Sequence, residues 1–560
     1  MNRSRTIVAK ISGDRCPERG CVVLDQPQHI SKTWGFRIFH ALRLVCEKAA
    51  LLSATLTTTS LLLLCPASAR AQGGVPLWTN LYPIPYSGGR NGISAVDSNG
   101  NVFVTGYAQF EIGNNYYDGG LTIKYSNSGT LLWTNRYLCS PSAIAVDSAG
   151  SVFVTGVASS GPGTYGDYAT IKFSNAGVPL WTNHYDGPAN LVDVATAIAI
   201  DSSDNVIVAG YSANSFPNGG CCFGDWGYAT VAYSNSGVPL WTNRYEGGDT
   251  YPDAPAIAVD RNGNVFVLAQ SGTAAAANYT TVAYSRSGDL LWINDYDGPG
   301  NAADYPSAIA VGTNGNVVAT GGSVGPTSSQ DYATIAYSND GVPLWTNRYN
   351  GPANRPDDAR AIAVDGDCNV FVTGASQNST YTPDFATVKY SPAGVPLWTR
   401  RYNGPANYFD VSLAIAVDSS GNVFVAGYSE NPNNVGQTIA TVAYSNSGMP
   451  LWTNRFDART NNYLQGIAVD RSGNVFVSGY SEDPGVSSDL VVIKYSSSVP
   501  PPRLDFQKLN NQLVLSWANA GFNLQSAPYV GGTFTNIPSA TSPYTNSFAG
   551  PQQFFRLISN

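Results

Sequence analysis

The sequence is poor in charge and in helical periodicity, and each shortage excludes a class of protein. Charged residues make up only 12% of the 560 positions. Gly, Asn, Ser, Thr and Tyr take their place, which suits short strands joined by polar turns better than salt-bridged helices. No apolar repeat of 3.6 residues runs through the central part of the chain, and no Gly-rich phosphate loop leads from a strand into a helix. The composition therefore favours an all-β protein.

Basic residues and histidine are scarce beyond residue 71. The first 71 residues hold ten Lys/Arg and four Asp/Glu, which leaves 20 basic and 34 acidic residues in the remainder. Such a surface repels a phosphate backbone, so we expect no nucleic-acid partner. His184 is the one histidine of the remainder, so a multi-histidine metal site within one chain is excluded. We expect no cofactor.

Residues 1–71 have the pattern of an export signal with a long basic front. An apolar run from Ala49 to Leu64 is followed by Ala69-Arg70-Ala71, which fits the small-x-small cleavage pattern. The run spans 16 residues, which is short for a membrane span, although a retained anchoring helix is the alternative. We expect a secreted or cell-surface protein with no membrane span after cleavage.

Eight tandem units of about fifty residues dominate the sequence. Each supplies four strand candidates, named A to D in chain order, of the type AIAVD, NVFVTG, YATIAYS and VPLWTNRY. These segments are rich in β-branched and aromatic residues and are bounded by turn residues. Strands that are apolar on both faces are typical of propeller blades, which neighbouring blades cover on both sides. The D segments carry the repeat tryptophans Trp78, Trp133, Trp181, Trp241, Trp292, Trp345, Trp398 and Trp452.

The two ends of the array are offset by one strand. Val75 to Tyr82 is a D strand with no A, B or C before it, and the last unit, Gly466 to Ser496, has no D. We predict that the first strand completes the last blade and closes the ring; an open solenoid is the alternative.

The predicted fold class is therefore all-β, with four segments. After the leader (1–71) comes an eight-bladed β-propeller of four-stranded antiparallel blades (72–496), closed by an N-terminal outer strand. A Pro/Ser linker (497–502) and a small β-sandwich-like module (503–560) follow.

Loop lengths predict which face of the ring binds. The A–B and C–D connections have the same length in every unit, whereas the B–C and D–A connections vary. In an antiparallel blade the two variable connections lie at the same end. Since binding surfaces are usually variable loops on a rigid scaffold, the B–C and D–A end is the predicted binding face.

The units AIAVDSSGNVFVAGYS and YATVAYSNSGVPLW resemble the bacterial β-propeller repeat family often called SBBP, over about residues 75–496. The resemblance implies an exported or cell-surface protein and supplies no catalytic residues. The family name refers to seven blades, whereas this sequence has eight units. The LQS and FFRL segments of the C-terminal module resemble short terminal modules of exported bacterial proteins.

Two sets of residues on the predicted binding face are candidates for a site. Asp193, Asp253, Asp304, Asp357 and Asp410 lie in the D–A loops of consecutive blades. They would either form an acidic ring that holds a divalent cation or cationic ligand at the channel mouth, or cap their own turns. Phe216, Phe223 and Trp226 lie in the longest B–C loop and would either stack on a ligand or pack onto their own blade.

A second acidic set ends the A strands at Asp97, Asp147, Asp201, Asp260, Asp365, Asp418 and Asp470. The spacing lacks the repeated acidic ligands of a calcium loop. We interpret these residues as turn caps.

The function expected from these features is a non-catalytic extracellular or cell-surface binding protein that holds a protein or polysaccharide partner on its variable loops. One alternative is an enzyme on a propeller scaffold. This would be a polysaccharide-acting enzyme that uses channel carboxylates, or a quinoprotein-like oxidoreductase. Gly-x-x-x-Trp resembles the tryptophan-docking motif of eight-bladed quinoprotein dehydrogenases, a similarity that supports the blade number more than the activity. A scaffold for envelope assembly is the other alternative.

Overall fold

The computed structural model describes residues 74–560 with gaps at 85–91, 113–114, 159–165, 215–225, 249–253, 274–275, 327–328, 432–435, 484–487, 497–503, 510–511, 518–521, 529–532, 539, 548–553 and 560. The predicted leader and linker lie outside the described residues. The chain separates into two compact units, one of residues 72–500 and one that contains residues 501–560. In the described ranges every regular element is a strand, and none of these residues form a helix suited to crossing a bilayer.

The first four blades each contain four consecutive strands. They are β2 (Ile93–Val96), β3 (Val102–Ile112), β4 (Asn115–Tyr125) and β5 (Leu131–Tyr137) in blade 1, β6 (Cys139–Val146), β7 (Val152–Ala158), β8 (Asp167–Phe173) and β9 (Pro179–Tyr185) in blade 2, β10 (Asp193–Ile200), β11 (Val206–Ala213), β12 (Trp226–Tyr233) and β13 (Pro239–Gly248) in blade 3, and β14 (Ala256–Val259), β15 (Val265–Thr273), β16 (Ala276–Tyr284) and β17 (Leu290–Tyr296) in blade 4.

The other four blades repeat this arrangement, except that the last takes its outer strand from the N-terminus. They are β18 (Asp304–Val311), β19 (Val317–Val324), β20 (Gln330–Tyr337) and β21 (Pro343–Tyr349) in blade 5, β22 (Asp357–Val364), β23 (Val370–Gln377), β24 (Pro383–Tyr390) and β25 (Pro396–Tyr402) in blade 6, β26 (Asp410–Val417), β27 (Val423–Glu430), β28 (Gln437–Tyr444) and β29 (Pro450–Phe456) in blade 7, and β30 (Asn461–Val469), β31 (Val475–Glu482), β32 (Ser488–Tyr495) and β1 (Pro76–Ile84) in blade 8.

Each blade is an antiparallel sheet with the order A, B, C, D. Blades 1 to 6 are separate four-stranded sheets, and blades 7 and 8 are joined by one parallel bridge between Gln437 and Asn461. Each A strand contacts the A strands of both neighbouring blades, and β2 of blade 1 contacts β30 of blade 8. The A strands therefore form a closed inner ring. The predicted all-β, eight-bladed propeller is confirmed.

Closure of the ring follows from the pairing of β1 with β32. The two strands run antiparallel, with Thr79 opposite Ile493 and Ile84 opposite Ser488. The Trp78 ring lies 6.1 Å from that of Phe476 in β31. The first strand thus occupies the position of the missing D strand, as the offset between the two ends of the array predicts.

The hydrophobic core lies between blades rather than within one. In β27, Val423 and Val425 pack against Phe371 and Phe385 of blade 6, whereas Phe424 faces the core shared with blade 8. Successive side chains of a strand point to opposite faces, so a VFV segment is buried on both sides. This arrangement explains the continuous apolar B strands.

The tryptophans join each blade to the next. The indole Nε1 groups of Trp78, Trp133, Trp181, Trp241, Trp292, Trp345 and Trp398 donate to main-chain carbonyls in the C–D turn of the following blade at 2.8–3.1 Å. Two residues further on, the Asn347 side chain donates to the carbonyl of Gly394 at 2.7 Å. The last contact of this kind joins Asn454 to Gly74. The D strands and turns therefore latch the ring together.

The unit that contains residues 501–560 has two three-stranded antiparallel sheets. One holds β33 (Asp505–Leu509), β34 (Gln512–Ser516) and β37 (Tyr544–Ser547), and the other holds β35 (Phe522–Ala527), β36 (Thr535–Asn536) and β38 (Phe554–Ser559). Leu513 and Leu515 of the first sheet share a buried cluster with Leu524 and Phe555 of the second. The two sheets therefore have one common core.

Candidate functional site

The D–A loops of the propeller are held by buried aspartates. Asp193, Asp304, Asp357 and Asp410 are the first residues of their A strands and are 0–1% exposed. One oxygen of each accepts the main-chain N–H of the glycine that begins the loop, at 2.5–2.7 Å. This is the geometry of a turn cap. Because these four carboxylates are buried, they do not form an open acidic ring, and the fifth candidate, Asp253, lies outside the described residues.

Burial shifts the protonation of these carboxyl groups. Desolvation raises the pKa of Asp304, Asp357 and Asp410 above the ordinary aspartate value, because a low-dielectric environment disfavours the charged form. The main-chain N–H groups of the loop glycines and a nearby serine hydroxyl at the end of strand B oppose this shift.

An arginine network, which the sequence reasoning missed, surrounds the aspartates. Arg348 of β21 donates to Ser323 Oγ at 2.6 Å and to Asp331 Oδ2 at 3.0 Å. Arg401 of β25 makes the equivalent contact with Asp384 at 2.9 Å. The recurring Arg of the WTNRY segment was the available signal. The role of this arginine depends on the pairing of strands B, C and D, which brings its partners together.

Blade 2 departs from this network. The position of the arginine is occupied by His184, which is exposed, so Asp167 of β8 has no guanidinium beside it. Carboxylate oxygens of Asp167, Asp186 and Asp193 lie within 4.8 Å of one another. They come from strand C of blade 2, from the following loop and from strand A of blade 3.

Of the three aromatic candidates in the longest B–C loop, Trp226 lies within the described residues. Trp226 is only 3% exposed and packs edge-to-face on Tyr211, with ring centroids 5.3 Å apart. It belongs to a small cluster with Leu191 and Ala213, so a role as an exposed stacking surface does not fit its burial. Phe216 and Phe223 lie outside the described residues.

Among the described residues of the loop face, four exposed aromatic side chains lie in blades 5 to 7, and one, Tyr117, lies in blade 1. We call Tyr305, Tyr381, Tyr408 and Phe409 the aromatic patch. Tyr381 is 64% exposed and the other three are 37–38% exposed. Tyr381 lies on a B–C connection, Tyr408 and Phe409 lie on a D–A connection, and Tyr305 is the second residue of the A strand β18. All four positions are at the same end of their blades. Nothing in the repeat pattern singled these residues out, because they occupy the variable positions.

Tyr381 is held in an unusual conformation. Its φ is 67°, in the left-handed region that bulky residues rarely adopt. The turn is fixed by Asn378, whose main chain pairs with Tyr381 and Thr382 and whose side-chain oxygen accepts the Thr380 N–H at 2.9 Å. The Arg355 guanidinium lies 3.4 Å from the centre of the Tyr381 ring. A large exposed ring is thus fixed on the surface at a conformational cost.

The opposite face carries a cavity and a set of apolar outer strands. The cavity, of about 260 Å³, is lined by the A–B turns of blades 8, 1 and 2, including Asp97, Asp147 and Asp470. Oδ1 of each aspartate accepts N–H groups of its own turn, so the turn-cap interpretation fits these residues. Each D strand also leaves apolar side chains about half exposed, such as Val178 and Leu180. Distributed one set per blade, they form no single patch.

Comparison with known proteins gives a repeat relative and several propellers. No family model matches the chain. An uncharacterized WD repeat-containing protein of Acanthamoeba polyphaga mimivirus is 22% identical over 396 residues, which cover 56% of this chain and 26% of that protein. The chain thus spans about a quarter of that relative's length.

Two of the solved structures similar to the chain have nearly equal TM-scores. The WD40 domain of SCAP from fission yeast has a TM-score of 0.41 and 10% identity, covering 75% of this chain and 99% of that domain. The polysaccharide lyase Uly1 has a TM-score of 0.40 and 10% identity, covering 63% and 89%. The sheet order and ring closure described above identify the chain as a β-propeller repeat protein, and its resemblance to the SBBP family stays a prediction.

Proposed function

We propose that the protein is a non-catalytic binding module of the SBBP type, secreted or held at the cell surface, whose aromatic patch engages a partner protein. The observation that carries this proposal is Tyr381, a bulky residue at positive φ that is 64% exposed. Strained conformations persist only where the surroundings impose them, and they cluster at functional positions.

The composition of the surface supports a protein partner. Tyr, Phe and Arg are enriched where proteins bind one another, and a few such residues dominate the binding energy. The aromatic patch spans consecutive blades and includes the Tyr408–Phe409 pair, whose ring centroids are 5.0 Å apart. Arg355 holds the Tyr381 ring from a separate loop, which limits the side-chain entropy lost on binding.

The carboxylates of the caps and of the cavity favour binding over catalysis. Asp304, Asp357 and Asp410, which follow D–A loops, are buried caps, and the aspartates around the cavity accept hydrogen bonds from their own turns. A glycosidase-type mechanism needs two carboxyl groups free to meet the substrate across a pocket, and a cap is committed to its loop.

The test separates binding from folding by two substitutions at one position. Tyr381→Ala removes the ring, and Tyr381→Gly also relieves the positive φ, so the Gly variant should unfold at a temperature equal to or above that of the wild type. The partner is identified by affinity capture from the native surroundings with the full chain and is then measured by titration. Both variants should weaken its binding by at least about tenfold, as expected for a hot-spot residue.

The control is Tyr117→Ala, which removes a 40%-exposed tyrosine from the B–C hairpin of blade 1. It should bind like the wild type. Unchanged binding by Tyr381→Gly would refute the proposal. Selective binding on a glycan array, lost in both Tyr381 variants, would replace the protein partner by a polysaccharide.

A further inference from the structure

We propose that Asp167, Asp186 and Asp193 form a single site for a divalent cation of the Ca²⁺ class, which joins blades 2 and 3. The site lies away from the aromatic patch of blades 5 to 7, so the inference is independent of the proposed function. It differs from the five-residue acidic ring that was one of the two alternatives for the D–A loop aspartates, because it is one local site of different composition.

The spacing of the three carboxylates suits one shared ion. Their ligand oxygens all lie within 4.8 Å of one another. Oxygens bind Ca²⁺ at about 2.3–2.6 Å, so two ligands on opposite sides of the ion are separated by about 5 Å. Three carboxylates without nitrogen or sulfur ligands form the hard-oxygen set that Ca²⁺ prefers. The main-chain hydrogen bond from Asp193 N–H to the Gly166 carbonyl, at 2.8 Å, fixes the two blades at this point.

A buried oxygen without a partner points to the ligand. Asp193 is 1% exposed. Its Oδ2 accepts the Gly187 N–H at 2.7 Å, whereas its Oδ1 has no hydrogen-bond partner. An unsatisfied buried carboxylate oxygen is costly, and a coordinated cation would satisfy it.

The same oxygen is unpartnered in Asp304, Asp357 and Asp410, so the neighbours decide which position holds an ion. In blade 6 the strand-C carboxylate, Asp384, is paired with Arg401, and the loop residue equivalent to Asp186 is Asn403. Blade 5 has the same arrangement, with Asp331 paired to Arg348. Those two positions have their positive charge supplied by the chain.

Blade 2 combines three features: an acidic loop residue, a missing arginine and an acidic strand-C residue, Asp167. Blade 4 also has an acidic loop residue, Asp297, and no arginine, but its strand-C residue is Asn278, so the third carboxylate is missing there.

In blade 2, His184 stands in place of the arginine on an exposed position, and Asp186 adds a third carboxylate. On the blade 3 side, Arg244 donates hydrogen bonds to Ser212 and Tyr185, at 2.7 and 2.9 Å. Its ion pair is with Glu246.

The experiment is a calorimetric titration of the full chain with Ca²⁺ after chelator treatment, with Mg²⁺ titrated in parallel. We expect one Ca²⁺ per chain, with weaker binding of Mg²⁺. Asp186→Asn should weaken Ca²⁺ binding by at least about tenfold, because ligand charge sets the affinity of such sites. The matched control is Asp297→Asn, at the equivalent position of the loop after blade 4, which should leave Ca²⁺ binding unchanged.

A second variant supplies the missing charge. His184→Arg restores the residue of the other blades and should abolish Ca²⁺ binding, because a guanidinium would pair with Asp167. Its unfolding temperature in chelator should be at least that of the wild type, which distinguishes loss of the ion from loss of the fold. A wild-type chain that does not bind Ca²⁺, or binding that survives both Asp186→Asn and His184→Arg, would overturn the proposal.

Discussion

Trp345 and Gly394 form a contact between blades 5 and 6 in which the indole ring lies directly against the glycine. A Cβ atom at Gly394 would lie 2.6 Å from Trp345 Cγ, and Gly394 has a φ of 79°. The C–D turn of each blade from 1 to 7 has a glycine under the tryptophan of the preceding blade. Each unit therefore needs both residues, because the tryptophan ring packs against a turn that has no room for a side chain.

Gly394→Ala should lower the free energy of unfolding by about 2 kcal/mol or more, because it adds left-handed backbone strain to a steric clash. The measurement is denaturant unfolding followed by tryptophan fluorescence. Gly366→Ala is the control, since a Cβ there meets nothing within 4 Å and its φ is not in the left-handed region. Equal effects of the two substitutions would contradict the latch.

Removal of residues 72–84 should open the ring. The deletion exposes the edge of β32, to which β1 is paired, and free edges promote association. We expect a lower unfolding temperature and dimers or larger species in size-exclusion chromatography. A synthetic peptide of residues 72–84 added in trans should restore the monomer. A deletion variant that stays monomeric and melts like the intact chain would show that β1 does not close the ring.

Asp418→Ala should destabilise the propeller by about 1–2 kcal/mol through the loss of a turn cap. Asp418 Oδ1 accepts the main-chain N–H groups of Ser420 and Asn422 at 2.9 Å each, and Oδ2 accepts the Asn422 side chain at 2.8 Å. Thermal unfolding in chelator and in Ca²⁺ measures the effect. The loss should be the same in both, and a loss seen only with Ca²⁺ would make Asp418 a metal ligand instead.

Asp357 should make the propeller less stable as the pH rises. Burial raises its pKa in the folded state above the unfolded value. Its contribution to stability is therefore full below the unfolded pKa of about 4 and is lost as the pH rises through the folded pKa. Asp357→Asn should gain unfolding temperature relative to the wild type between pH 4 and pH 7.

The equivalent substitution Asp410→Asn tests the same relationship in another blade, where burial also raises the pKa. Asn keeps an oxygen for the Gly404 N–H, so the turn survives in this variant. If the difference in unfolding temperature between wild type and variant did not change with pH in either blade, the raised pKa values of Asp357 and Asp410 would be contradicted.

The sequence by itself determined the class, the number of blades and the way the ring closes. These properties are written in local patterns: apolar strands of fixed spacing, turn glycines, and an outer strand displaced to the N-terminus. Because the pattern recurs eight times, a strand that is ambiguous in one unit can be assigned from the equivalent strands of the other seven. The turn-cap geometry of Asp418 was equally readable, since its partner groups lie within a few residues.

Only the tertiary structure decided which variable residues meet. Asp167, Asp186 and Asp193 lie on three elements of two blades, and their approach depends on how one sheet packs on the next. The contact between Tyr381 and Arg355 likewise arises between two loops of different connections. Long-range packing and the burial of charge leave no periodic trace in a sequence, because each depends on neighbours that the chain supplies from far away.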